Sequence, residues 1–90
     1  MNLTFKKVGD IYEATFTAEG DFSLHIEREQ AGEIDMYQTS VEGTTPVIVK
    51  PQGWGFRSDL VIDVDVQGFK APKYITIKSK TQPTMAVVVE

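Results

Sequence analysis

The stretch that decides the fold is Ile11-Tyr12-Glu13-Ala14-Thr15-Phe16-Thr17-Ala18-Glu19-Gly20-Asp21-Phe22-Ser23-Leu24-His25-Ile26-Glu27-Arg28. On either side of Glu19-Gly20-Asp21 the apolar residues fall on every second position: Tyr12, Ala14, Phe16 and Ala18 before it, Phe22, Leu24 and Ile26 after it. A period of two is one face of a β-strand, whereas a helix would need apolar residues three and four apart. If the two segments form a hairpin, a three-residue loop sets Ala18 against Phe22, Phe16 against Leu24 and Ala14 against Ile26. A two-residue loop would bring Thr17 opposite Leu24 and spoil the apolar face, so register selects the longer loop.

Working outward, Gly9-Asp10 reads as a two-residue turn that places Leu3 opposite Phe16, Phe5 opposite Ala14 and Lys7 opposite Tyr12, with Lys6 meeting Glu13 on the other face. A five-residue loop over 29–33 continues the pattern, with Ile26 opposite Met36 and Arg28 opposite Ile34. Strands are predicted at 2–8, 11–18, 22–28 and 34–40, joined as an antiparallel meander. The second half predicts strands at 47–50, 60–66, 74–78 and 85–89. There Leu60, Ile62, Val64 and Val66 face inward, and Ile75, Ile77, Val87 and Val89 supply further inward rows. Turn residues recur about every 8 to 12 positions, the spacing of an all-β sandwich or barrel, and no helix longer than a turn is read. The expectation is one domain over 1–90: an all-β antiparallel sandwich of about eight strands, Ig-like or jelly-roll-like, with a barrel as the alternative.

Ninety residues make one small domain, and 41% hydrophobic with 24% charged residues is an ordinary globular composition rather than a disordered or membrane-spanning one. A net charge of -4 repels phosphate backbones, and no basic cluster offsets it, so neither nucleic acid nor membrane is expected as a partner. With no cysteine there is no disulfide, thiolate nucleophile or Cys-based zinc site. No phosphate-binding glycine pattern or metal-binding His pair occurs either; no cofactor, no metal and no catalysis are expected. The first residues alternate apolar and polar without the pattern of a secretory signal, so the chain is expected to start directly in structure. Met85-Ala86-Val87-Val88-Val89 is uncharged and of high β-propensity. Such a strand must lie inside a sheet or be covered by a neighbouring subunit, which makes Met85, Val87, Val88 and Val89 the candidate oligomer strand of a homo-oligomer.

Four groups of side chains are candidates for chemistry. Under the meander, Glu13, Glu27 and Asp35 stand side by side on the outward face with Lys6 beside them. Adjacent strands bring carboxyls to roughly the 5 to 5.5 Å used by retaining glycosidases, but a flat charged face is what a half-buried sheet ordinarily shows. His25 falls between Thr15 and Tyr37 with Ser23 two residues away, and reads as a surface imidazole rather than part of a triad. Asp59, Asp63 and Asp65 suggest calcium, yet Asp63 and Asp65 point the same way along one strand about 6.6 Å apart, and the loop lacks a wrapping ligand pattern. In Pro51-Gln52-Gly53-Trp54-Gly55-Phe56-Arg57 two readings stay open. Trp54 and Phe56, with Arg57 at the rim and Tyr37 nearby, form a platform for a sugar or a protein partner, or Trp54 folds back to plug the end of the sandwich.

The start Met1-Asn2-Leu3-Thr4-Phe5-Lys6-Lys7, the sustained strand pattern and the end Thr84-Met85-Ala86-Val87-Val88-Val89-Glu90 resemble a loose class, the compact all-β accessory proteins of tailed-phage particles (head-decoration, auxiliary capsid and head-fibre proteins). The resemblance spans the chain, contains no specific motif and transfers no residue role. It implies a non-enzymatic structural protein that self-associates, contacts other virion proteins and resides in the virion, with the cytoplasm as the alternative location. The alternative function is a small carbohydrate-binding module using the aromatic loop, and a remoter one is a carboxylate-based hydrolase.

Overall fold

The structure, a computed structural model, describes residues 1–40, 48–49, 60–67 and 73–90. It is all-β. The strands are β1 (Lys6–Val8), β2 (Ile11–Ala18), β3 (Phe22–Arg28), β4 (Ile34–Ser40), β5 (Ile48–Val49), β6 (Val61–Val66), β7 (Lys73–Ser79) and β8 (Pro83–Val89). They form two antiparallel sheets in the orders β1-β2-β7-β4-β5 and β6-β3-β8, packed face to face as a sandwich rather than a closed barrel.

The strand positions follow the period-two pattern, and β2, β3 and β4 have the expected bounds. Their partners do not follow the meander. β2 pairs with β7, matching Ala14 with Ile77 and Phe16 with Ile75. β3 pairs with β6 and β8, matching Leu24 with Val64 and Val88, and Ile26 with Ile62 and Ala86. The connections at 19–21 and 29–33 are therefore steps from one layer to the other, not hairpin loops. A step satisfies the same alternation as a hairpin: Phe16 and Phe22 meet across the core, edge to face with centroids 5.3 Å apart.

The ladders are nested. Asn2 bridges Val87, β2 pairs β7, β3 pairs β6 and β4 pairs β5, so the chain resembles one long hairpin rolled up with its segments alternating between layers. An Ig sandwich would set the second strand beside the fifth; here β2 lies beside β7, and the order is that of a jelly roll. The core draws on both layers: Phe16, Ile75, Ile77 and Met36 from one, and Leu24, Ile26, Ile62 and Val88 from the other.

Three local expectations are corrected. Lys6 and Lys7 do pair with Glu13 and Tyr12 around a turn in which Gly9 has φ 62° and Asp10 does not, the type II′ arrangement that favours glycine first. Residues 1–3, however, leave β2 for the other sheet, so Leu3 does not face Phe16, and the ladder with β2 ends at Lys6. The Leu3 amide donates to Ala86 O at 2.9 Å, the Val88 amide to Met1 O at 2.8 Å and the Met1 amine to Val88 O at 2.7 Å. This strap covers the free edge of β8, while Leu3 and Phe5 pack half-buried against the core. Second, Ala86 and Val88 point inward and Val87 and Val89 outward, because Leu24 and Ile26 oppose Val88 and Ala86. A run of valines has no alternation to reveal this parity. Third, Leu60 lies ahead of β6 and is 41% exposed; Ile62 and Val64 are the buried pair of that strand, with Val66 packed at its margin.

Deleting Met1–Leu3 is expected to destabilise the fold by about 2 to 4 kcal/mol, from three backbone hydrogen bonds and the part-burial of Leu3, and to promote aggregation through the uncovered edge. Urea unfolding followed by circular dichroism reads this directly; an unchanged midpoint contradicts the strap.

Candidate functional site

The outward face of the three-stranded sheet brings together residues that are far apart in sequence. Alternation aims Ser23, His25 and Glu27 of β3 away from the core. Ladder register lays Asp65, Asp63 and Val61 of β6 beside them on one side, and Val89, Val87 and Met85 of β8 on the other. One half of this face is acidic and hydrogen-bonded; the other is aliphatic.

His25 sits at the centre, with Nδ1 2.6 Å from Asp63 Oδ1 and Nε2 3.0 Å from Glu27 Oε2. A neutral imidazole carries one N–H and one lone pair, so it can satisfy only one of two ionised carboxylates. Two carboxylate partners require both nitrogens to donate, which is the imidazolium. The hydrogen bond to Asp63, then that to Glu27, raises the His25 pKa above its ordinary 6.5, against a smaller opposing effect of desolvation. Ser23 Oγ donates to Asp65 Oδ1 at 2.6 Å. With the hydroxyl proton on an aspartate and both imidazole nitrogens engaged by carboxylates, these residues do not form a nucleophile–base relay.

The sandwich topology separates other groups that the meander had brought together. Glu27 lies on the three-stranded sheet, whereas Glu13 and Asp35 lie on the other sheet, on either side of Lys78, so the three-carboxylate row does not exist. Lys78 Nζ is 3.6 Å from Glu13 Oε1 and lies over the Tyr37 ring, 5.5 Å from its centroid. His25 is beside Asp63 and Val87, not Thr15 and Tyr37; Thr15 and Tyr37 instead flank Thr76 on the opposite sheet. Asp63 and Asp65 are turned to His25 and Ser23, and among the described residues no group of three His, Asp or Glu side chains could hold a metal ion. Asp59 and the loop carrying Trp54, Phe56 and Arg57 lie outside the described residues. Of the candidate oligomer strand, Met85 and Val89 are 48% and 62% exposed, Val87 is half-buried on the same face, and the Val88 side chain is committed to the core. Beside them a shallow pit of about 110 Å³ opens between His25, Asp63, Asp65, Val87 and Val89.

The pairing of His25 with Asp63 and Glu27 was missed. That all three face outward was legible from alternation, but their meeting depends on β3 pairing with β6. Compared with known proteins, the chain matches no family model, no curated protein and no solved structure.

Because the His25 pKa is higher folded than unfolded, its contribution to stability is complete below about 6.5, while the carboxylates stay ionised, and is lost as pH rises through the folded value. His25, Glu27 and Asp63 are each about a third or more exposed, so solvent screening keeps the effect to about 1 kcal/mol or less. Unfolding midpoints across this pH range should fall for the parent and stay flatter for His25→Gln. Parallel profiles would contradict the clamp.

Proposed function

We propose that this chain is a non-enzymatic structural protein that self-associates through the outward face of its three-stranded sheet and serves as an accessory part of a larger assembly. The observation that carries the reading is the aliphatic half of that face: Met85 and Val89, large and exposed, with Val87 between them and a pit alongside. An apolar patch of this kind on a small domain favours burial against a partner.

A second copy is the partner that fits. Met85 is a long, flexible apolar side chain, and the pit edged by Val87 and Val89 has room for one aliphatic group. Knob and hole lie on one face, so a two-fold axis lets each copy's Met85 enter the other's pit, the self-complementary contact of an isologous dimer. Such an axis near β8 carries the two acidic rows of Asp63 and Asp65 to opposite rims, which keeps like charges apart. At β8 association uses the face rather than the edge, since the edge of β8 is already taken by Met1–Leu3.

The assembly is proposed to be a tailed-phage particle. Support comes from the class resemblance of the sequence and from the jelly-roll strand order, an architecture that recurs in viral capsid domains and also in lectins. Strand order is a fold-level analogy and does not assign the role by itself.

Truncating β8 would remove Ala86 and Val88 from the core and unfold the protein, so outward residues give the cleaner test. In sedimentation velocity the parent chain is expected to be oligomeric at micromolar concentration. Met85→Glu and Val89→Asp should each weaken association by at least about tenfold, equivalent to 1.4 kcal/mol, with unchanged circular dichroism. A parent chain that is monomeric throughout, or substitutions without effect, overturns the reading.

A further inference from the structure

At one end of the sandwich the β3–β4 connection, the β7–β8 turn and Tyr12 of β2 enclose an open groove of about 650 Å³, within the range of small-molecule sites. It is a different surface from the proposed self-association face. The segments that line it are tied to one another. Arg28, at the inward-facing end of β3, is 5% exposed, and its Nη1 donates to Gly32 O at 2.9 Å, with Thr81 Oγ1 at 3.3 Å and Ser79 Oγ at 3.4 Å. Ser79 Oγ donates to Thr81 O, and Thr81 Oγ1 to Gln30 O, each at 2.6 Å. Gly32 packs so closely on the turn that a Cβ there would lie 3.1 Å from Lys80 Cβ and Thr81 Cγ2. One buried guanidinium and two hydroxyls thus hold both walls in place before any ligand arrives, which lowers the entropic cost of binding.

The side chains of the rim are less committed. Among the described residues, the side chains of Glu29, Gln30, Lys80 and Gln82 and the Tyr12 hydroxyl make no hydrogen bond or ion pair, so their donors and acceptors are uncommitted. The rim carries one acid, one base, two carboxamides and a phenol. The lining is mostly polar, with Tyr12 and Pro83 among its apolar contributors. Its apolar surface is too small to hold an apolar ligand by burial alone. Glu29 offsets Lys80, so no net field selects an ion, and the chain's net charge of -4 disfavours anions further. What remains is a neutral molecule rich in hydroxyls. Carboxamides and a carboxylate can bridge adjacent hydroxyls as donor and acceptor, and a ring face can stack on a sugar's C–H surface.

We propose that this groove binds a neutral saccharide, a short oligosaccharide lying over Tyr12 and Pro83 and hydrogen-bonded by Gln30, Gln82 and Glu29. This does not depend on the self-association reading, and either stands if the other fails.

The test is titration of the ¹⁵N-labelled protein with neutral trisaccharides of glucose (α- and β-linked), mannose and N-acetylglucosamine, with phosphate as an anionic comparison. At least one saccharide should give saturable amide shifts concentrated in residues 29–33 and 80–84. Tyr12→Ala and Gln82→Ala should each weaken that binding by at least about tenfold. Gln82 is exposed at the turn, so its variant serves should Tyr12→Ala fail to fold. No saturable shift from any saccharide, shifts centred elsewhere, or tighter binding of phosphate to the same amides overturns the proposal.

Discussion

The structure depends on one constraint: each sheet is apolar on its inner side, and among the described residues the two sheets have only each other to cover it. The chain meets this by changing layers at its short connections, after β2 and again after β3. Ala14, Phe16 and Ala18 then face Phe22, Leu24 and Ile26 across a shared interior. Pairing passes to distant partners, β2 to β7 and β3 to β6 and β8, and the nested order of a jelly roll follows.

That exchange of partners creates the chemistry on the outer face. His25 gains Asp63, thirty-eight residues away, and the imidazolium joins β3 to β6 through that carboxylate while Glu27 of its own strand holds the other ring nitrogen. On the other side of β3, its ladder with β8 places an aliphatic strip on the same face. The strap at Met1–Leu3 matters equally, since it occupies the hydrogen-bonding edge of β8. At the end of β3 alternation carries Arg28 inward, where it is buried; the Arg28 guanidinium adds to the bonds from Thr81 to Gln30 and from Lys80 to Glu33 that tie two loops together, and a groove with fixed walls results.

Alternation in Ile11–Ala18 and Phe22–Arg28 made strand positions and inward faces legible, because a two-residue period has one structural meaning. It could not reveal partners. Ala14 opposite Ile26 in a hairpin and Ala14 opposite Ile77 across a ladder keep the same face apolar, and a three-residue connection permits either. The valines of β8 show the same blindness in another form: with no polar residue to mark a side, Val87 and Val88 are interchangeable until Leu24 and Ile26 fix the parity. The outward aim of His25, Glu27, Asp63 and Asp65 was readable one strand at a time, but their contacts were not. Arg28 was expected to sit opposite Ile34; its burial follows from the register of four separate segments.

The most direct test of the central claim, that consecutive strands belong to different layers, is a set of backbone nuclear Overhauser contacts in the labelled protein. Contacts joining the backbones of Phe16 and Ile75, and of Leu24 and Val64, are expected, with none along a β2–β3 ladder. A continuous set of backbone contacts pairing Phe16 with Leu24 and Ala14 with Ile26 would contradict it, and would separate His25 from Asp63 as well.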